Sequence, residues 1–233
     1  MPPDEPTPQP IMEISFSGDP ILAPFTGDTF IAERFLELRD VYGIVNAVET
    51  GTYLGRTFIW ICNHFDNAFS CEVSPKNYQF ACHAIFAEPG APLDELYPEA
   101  MIDPPELGRF VLKNQDSVDF IHGITDILEG ETIFFLDAHW YSRCPLLEEL
   151  EAIASCGLRP AVIAIHDSKP ITRTSWATIP TMASRSPWIG FAPVWRRSPE
   201  TTGASSNVPS SAGGAMRGIV YLKRNLEKAP DES

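Results

Sequence analysis

The sequence predicts a doubly wound α/β sandwich, in which helices cover both faces of a mostly parallel sheet. Short apolar runs typical of buried strands alternate with segments whose apolar residues recur at helical spacing. The chain has 233 residues and a hydrophobic content of 44%, which is enough for one large core. No internal repeat interrupts the alternation. We therefore expect a single domain built in three layers.

The first half of the chain contains a leading helix and two strand–helix units. Their order is a helix at 28–44, a strand at 43–49 (GIVNAVE), a helix at 56–65, a strand at 67–73 (NAFSCEV) and a helix at 74–86. Ser74 is a suitable cap for the last of these helices, because Pro75 follows it at the first helical position. The strands are short and apolar, as expected for a sheet that is covered on both faces.

The second half continues the alternation and then ends differently. Strands are predicted at 109–114, 132–140 and 161–167, with helices at 117–128 and at 145–157, the latter closed by Gly157. Two late strands, at 191–195 and 218–223, follow without a helix between them and predict a hairpin-like end of the sheet. The sheet is therefore expected to have seven strands.

Composition divides the chain into a domain and its flanks. Residues 1–24 are rich in proline and are predicted to be partly disordered, residues 25–226 form the single domain, and residues 227–233 form a polar tail. Two stretches interrupt the domain as irregular loops. The first, 87–108, carries five prolines and six acids, and the second, 196–217, is rich in Ser, Gly and Thr.

The charge of the chain excludes several classes of partner. Lys and Arg number 17 against 31 Asp and Glu, which gives a net charge of -14. An acidic chain without a basic run is not expected to bind nucleic acid or an anionic membrane surface. No apolar stretch is long enough to span a membrane, and the acidic start lacks the features of a signal peptide, so we expect a cytoplasmic protein. The five scattered cysteines predict neither disulfides nor a zinc knuckle.

The segment VNAVETGTYLGRTF, at 45–58, contains the strongest signal of a ligand site. It joins the first strand to the next helix, where open α/β sheets bind ligands, and it places Gly51 and Gly55 around a Thr-Tyr pair. Glu72 ends the second strand and is suitably placed to accept hydrogen bonds from ribose hydroxyls. A full Gly-x-Gly-x-x-Gly pattern is missing, so a nucleoside without a pyrophosphate fits best.

The same segment, ETGTYLGRT, resembles the first motif of class I S-adenosylmethionine-dependent methyltransferases, above all of the catechol O-methyltransferase-like group. Glu72 in SCEVS, the pair Asp116-Ser117 in NQDSV, and the strand ends FFLDAHWYSR and AVIAIHDSK are similar to further motifs of that group, in the same order. The resemblance covers about residues 41–169. It implies a Rossmann-like methyltransferase fold and S-adenosyl-L-methionine as the cofactor.

The resemblance also implies which residues bind the cofactor. They are Glu49, Gly51, Thr52, Tyr53, Gly55, Thr57, Glu72, Val73, Asp116, Ser117 and Asp137. For Asp116 an alternative is open from the sequence alone, because an acid just before a predicted helix also serves as its N-cap. Gly51 and Gly55 have a similar alternative as turn and packing residues.

The catalytic and metal positions depart from the pattern of the group. At the strand ends where catechol O-methyltransferase-like enzymes hold a divalent metal, this chain has Asp137, His166 and Asp167, a set that suits Mn or Zn better than Mg. A lysine that acts as base in some relatives is missing, and His139 is the substitute candidate. Because a hydroxyl acceptor needs a base, we assign catalytic roles to His139, His166 and Asp137.

The predicted function is methyl transfer to a small-molecule acceptor, by preference at a hydroxyl oxygen of a sugar, a phenol or a natural product. Two alternatives stay open: a metal-dependent hydrolase on a similar sheet, and a nucleoside-binding protein without catalysis. A homodimer formed through the apolar first helix is an open alternative to a monomer. The sequence does not identify the acceptor.

Overall fold

The structure is a computed structural model, and it describes residues 23–86, 101–102, 109–138, 144–166, 191–194 and 219–224. All structural statements below refer to these residues. Parts of the two predicted loops, at 87–100, 103–108 and 196–217, and the predicted tail at 227–233 lie outside them.

The described chain alternates strands and helices in the predicted order. The helices are α1 (Thr29–Tyr42), α2 (Arg56–Cys62), α3 (Pro75–Phe86), α4 (Ser117–Ile124) and α5 (Leu146–Ser155). The strands are β1 (Asn46–Thr50), β2 (Asn67–Cys71), β3 (Met101–Ile102), β4 (Arg109–Lys113), β5 (Thr132–Leu136), β6 (Val162–His166), β7 (Phe191–Val194) and β8 (Ile219–Arg224).

The strands form one sheet in the order β3-β4-β2-β1-β5-β6-β8-β7. The five central strands, from β4 to β6, pair in parallel, whereas β3, β8 and β7 each pair antiparallel with a neighbour. The doubly wound, mostly parallel sheet and its hairpin-like end are thereby confirmed. The described sheet has eight strands rather than the predicted seven, because two residues of the first predicted loop, Met101 and Ile102, pair with β4.

Each face of the sheet packs against its own set of helices. Alternate residues of a strand enter different clusters: Ala47 and Phe135 lie with α1, α2 and α3, whereas Val48 and Phe134 lie with α4 and α5. Helices therefore cover both faces of the sheet, and the predicted three layers are confirmed. Four apolar residues of α1 are buried in the chain's own core, namely Ile31, Ala32, Phe35 and Leu38, whereas Val41 is exposed. The homodimer suggested by the sequence stays a prediction.

A polar cluster fixes the register of three strands at the edge of the sheet where they begin. The buried Asn46 side chain donates hydrogen bonds to the Glu129 carbonyl (2.7 Å) and to Thr132 Oγ1 (3.1 Å), and it accepts one from the Asn67 side chain (2.8 Å). Asn46 is the register partner of both Asn67 and Thr132. Because a slip of one residue would leave these buried polar groups without partners, the cluster favours one register.

A left-handed turn brings the start of the described chain into the core. Phe25 (φ 50°) and Thr26 (φ 53°) adopt positive φ before Gly27, although neither is glycine. The Phe25 ring packs against Trp60 and Phe135, with centroids 5.0 and 5.5 Å away. Tight aromatic packing of this kind compensates for backbone strain of about 1 to 3 kcal/mol per residue.

None of the helices in the described part of the chain combines the length and the apolar character needed to cross a membrane.

Candidate functional site

A cavity of about 390 Å³ lies where the central strands end. Its walls come from the segments that follow β1, β2, β4 and β5, which meet at the carboxyl edge of the sheet. The lining residues are Gly51, Cys71, Glu72, Val73, Ser74, Gln115, Asp116, Ser117, Ala138 and Pro145. Five of the predicted cofactor residues are thus brought to one cavity, which has the size of a small-molecule site.

Glu72 is buried and held in a fixed orientation at this cavity. The Tyr53 backbone N–H donates to Glu72 Oε2 and the Ser74 backbone N–H donates to Oε1, each at 2.8 Å. Burial raises the pKa of Glu72, and these backbone hydrogen bonds partly offset the rise. The Asn77 side chain and the Val73 backbone N–H also donate hydrogen bonds to Glu72, so four protein groups hold its carboxylate at the cavity. With 3% of its surface exposed, Glu72 is not a solvated surface acid.

Glu49 and Thr52 belong to a buried hydrogen-bond chain beside the cavity. Ser70 Oγ donates to Glu49 Oε2 at 2.7 Å and lies 2.6 Å from Thr52 Oγ1. The Ser70 hydroxyl has one proton, which it gives to Glu49, so Thr52 is the donor in the second bond. Burial, followed at smaller size by the charges of Asp137 and Glu72, raises the pKa of Glu49 to about 8. Glu49 is therefore mostly protonated at neutral pH.

The two glycines of the motif both have protein neighbours. Gly51 has φ +83°, and a Cβ there would lie 2.9 Å from Ala138 Cα, so the loop after β1 touches the loop after β5. Gly55 has φ +80° and lets α2 start against Ala81, whose Cβ would lie 3.2 Å from an added Cβ. Gly51 also lines the cavity. The cofactor contacts expected for both glycines stay predictions.

Tyr53 and Thr57 are placed differently from the lining residues. Tyr53 is 53% exposed, adopts a positive φ of 51°, and meets Glu72 through its backbone N–H. Thr57 Oγ1 accepts a hydrogen bond from the Phe25 backbone N–H at 2.9 Å, which joins α2 to the turn at the start of the described chain. Their cofactor roles also stay predictions.

Asp116 fulfils one of the two roles that the sequence left open, and its contact with a cofactor stays a prediction. Its Oδ1 accepts a hydrogen bond from the Val118 backbone N–H at 3.0 Å, so it is the N-cap of α4, and it also lines the cavity. Ser117, the first residue of α4, lines the cavity beside it. The sequence analysis did not select the lining residues Cys71, Ser74, Gln115, Ala138 and Pro145.

Asp137 and His166 form a pair at the ends of β5 and β6. His166 Nδ1 lies 2.7 Å from Asp137 Oδ1, and the imidazole is buried against the Phe135 ring, with centroids 5.6 Å apart. Asp137 is the more exposed partner, with 24% of its side chain accessible against 2% for His166. An ionised carboxylate can only accept here, so a neutral His166 donates its Nδ1 proton to Asp137, and Nε2 becomes the basic nitrogen.

The predicted metal site is incomplete in the described part of the chain. No group of three His, Cys, Asp or Glu side chains among the described residues could hold a metal ion. Asp167, the third predicted ligand, and His139, the substitute base, lie outside the described residues. The metal site stays a prediction.

Comparisons with known proteins agree with this architecture. No protein-family model matches the sequence. No curated protein matches it either. The methyltransferase domain of bacterial CtHen1 superposes with a TM-score of 0.52 at 9% identity, over 84% of this chain and 98% of that one. A proposed O-methyltransferase from Klebsiella pneumoniae also gives 0.52, at 11% identity, over 84% and 80%. The chain has the Rossmann-like fold of methyltransferases.

An O-methyltransferase from Bacillus cereus, solved with S-adenosylhomocysteine, is also similar. It has a TM-score of 0.48 and 16% identity over 83% of this chain and 81% of that one. At these identities the two likenesses with a TM-score of 0.52 establish the fold, while the activity has to be argued from the residues of the site.

Proposed function

We propose that this chain is an S-adenosylmethionine-dependent methyltransferase that acts on a hydroxyl oxygen of a small molecule. The observation that carries the proposal is Glu72, a buried carboxylate that two backbone N–H groups orient at the mouth of the cavity. Glu72 lines the cavity, where a carboxylate can accept a hydrogen bond from a ribose hydroxyl. Open α/β folds that bind a nucleoside place such an acid at the end of the second strand, and Glu72 directly follows β2.

The residues of the cavity fit this cofactor in size and charge. A volume of about 390 Å³ lies within the range of small-molecule sites. Glu72 and Asp116 give the lining a negative character that suits a sulfonium and an ammonium group. When bound, S-adenosylmethionine supplies a methyl group that is already activated for displacement.

The pair of Asp137 and His166 is suited to take the acceptor's proton. Asp137 holds the imidazole in one orientation and stabilises its protonated form, which makes Nε2 the basic nitrogen. Because Nε2 is buried among the described residues, its role as base requires the site to open for the acceptor. Burial against Phe135 keeps water from this side of the ring. His139 is the other candidate for the base and lies outside the described residues.

Calorimetric titration with S-adenosylhomocysteine tests the cofactor site. We expect micromolar or tighter binding by the wild type and a loss of at least about tenfold in Glu72→Gln, which keeps the shape but lowers the strength of the acceptor. Asp66→Asn is the matched control, since Asp66 is exposed at the opposite end of β2 and should bind like the wild type. Absence of binding by the folded wild type would refute the proposal.

Turnover of radiolabelled S-adenosylmethionine with a panel of phenols, sugars and other alcohols tests the reaction and the base. If His166 is the base, His166→Gln should lower kcat by about 10²- to 10⁴-fold and leave S-adenosylhomocysteine affinity nearly unchanged. Loss of turnover in His139→Gln alone would move the base to His139. Repeating the assay with the metal-stripped protein, and then with Mg, Mn or Zn, decides whether a metal is required.

A further inference from the structure

Glu149 is a buried acid that the proposed mechanism does not use. It lies on α5 with 1% of its surface exposed, on the same face as the buried Leu146, Ala152 and Ile153. An acid on the core face of a helix is uncommon, because a buried charge is unfavourable unless it is compensated. The position therefore calls for a physical reason.

The partners of Glu149 connect three walls of the cavity. Its carboxyl group accepts hydrogen bonds from the hydroxyls of Thr50, at the end of β1, and Ser117, at the start of α4. Ser117 lines the cavity, as do Gly51, which follows Thr50, and Pro145, which precedes α5. Glu149 Oε1 has no hydrogen-bond partner among the described residues. The carboxyl group thus lies directly behind the lining.

The charges around Glu149 are acidic in the described part of the chain. Asp116 approaches from the N-cap of α4, Glu148 from α5 itself, and the Cys71 thiol from the end of β2. Burial is the largest effect and raises the pKa of Glu149 to about 7, while the Ser117 and Thr50 hydrogen bonds lower it and the charges of Asp116 and Glu148 raise it further. Its ionisation therefore responds to a charge placed in the cavity.

We propose that Glu149 is a specificity-determining residue, which favours the positively charged sulfonium cofactor over its neutral thioether product. The inference rests on the proposed function. A cation in the cavity stabilises the ionised carboxylate behind the lining, whereas the thioether does not. Binding of the cofactor therefore releases a proton from Glu149, and loss of the positive charge on methyl transfer weakens the attraction and favours release of the product.

Calorimetric titration of the full chain with S-adenosylmethionine and with S-adenosylhomocysteine, at pH values from about 6 to about 8, tests the proposal. In the wild type the ratio of the two affinities should shift toward S-adenosylmethionine by about three- to tenfold as the pH rises. Glu149→Gln should show less than about a twofold shift. The matched control is Glu151→Gln, an exposed position on the same helix, which should behave like the wild type. Both ligands carry the same amino group, whose titration contributes equally to the wild type and the variants and therefore cancels from the comparison.

Equal shifts in the wild type and in Glu149→Gln, or no shift in the wild type, would overturn the role of Glu149 while leaving the proposed function intact. Absence of binding of either ligand by the folded wild type would overturn both. Proton release by the wild type, measured in buffers of different ionisation enthalpy near pH 7, is a second test that needs no variant. More protons should be released with S-adenosylmethionine than with S-adenosylhomocysteine, and equal release would refute the proposal.

Discussion

Replacing Glu49 by Gln should stabilise the protein, and the gain should depend on pH. Glu49 is 1% exposed and has Ser70 as its hydrogen-bond donor, which a Gln side chain can keep as a partner. Burial raises the pKa of Glu49 to about 8, against an ordinary value of 4.5. Between these two pH values the folded chain keeps a proton that the unfolded chain has lost.

The sign and the size of the effect follow from this difference in bound protons. The unfolded state binds fewer protons between pH 4.5 and about 8, so the contribution of Glu49 to the free energy of unfolding falls as the pH rises. The fall is about 1.4 kcal/mol per pH unit for one proton. The fall starts near the pKa of Glu49 in the unfolded chain and ends near its pKa in the folded chain. At pH 7 Glu49 therefore lowers the free energy of unfolding by about 3 kcal/mol.

Urea unfolding of the wild type and of Glu49→Gln, followed at several pH values between about 5 and 8, measures this directly. The difference in the free energy of unfolding should be small near pH 5 and should grow steadily in favour of Glu49→Gln. Glu129→Gln is the surface control, and its difference from the wild type should stay within about 0.5 kcal/mol throughout. A difference between Glu49→Gln and the wild type that does not change with pH would refute the reasoning.

Three further changes test other parts of the structure. Asn46→Ala should lower the free energy of unfolding by about 2 to 4 kcal/mol in urea titrations, because it leaves buried polar groups without partners; a loss below about 0.5 kcal/mol would contradict this. Gly51→Ala should abolish most S-adenosylhomocysteine binding in calorimetry, since its Cβ would lie 2.9 Å from Ala138 Cα at a positive φ; wild-type affinity would disprove the close contact. Thr57→Val should lower the melting temperature by several degrees through loss of about 1 to 2 kcal/mol, as the Phe25 N–H loses its acceptor, and an unchanged melting temperature would exclude that role.

The order of strands and helices was predictable from the sequence because each element carries its own local signal. The run TIFFL is continuously apolar, and β5 is buried on both faces. The start of α3 was predicted from Ser74 and Pro75, and the Ser74 side chain and carbonyl accept hydrogen bonds from the first turn of that helix. Asp116 caps the start of α4 in the same way. The strand Met101–Ile102 was missed because two residues between prolines and acids carry no periodicity.

The candidate site was predictable only where the lining residues belong to a motif. Glu72 and Asp116 end strands or begin helices in recognisable segments, and both reach the cavity. Gly55 and Thr57 belong to the same motif, but the fold places them against Ala81 and Phe25, which no local pattern reveals. Glu149 lies at helical spacing with the buried apolar residues of α5, so its position on the core face is visible in the sequence. A single acid at such a position is nevertheless interpreted as a surface residue until the packing is known.

The buried acids at the carboxyl edge of the sheet make this part of the fold less stable than apolar residues would. The largest influences on the pKa of Glu49, Glu72 and Glu149 are burial, hydrogen bonds and other carboxylates, rather than the charges of lysine or arginine. A core that served stability alone would not gather carboxyl groups whose raised pKa lowers the free energy of unfolding as the pH rises above their ordinary pKa of 4.5. A cationic ligand offsets this repulsion and should therefore stabilise the protein more than a neutral ligand that makes the same contacts. The acids that weaken the fold are, on this argument, the groups that select what the cavity binds.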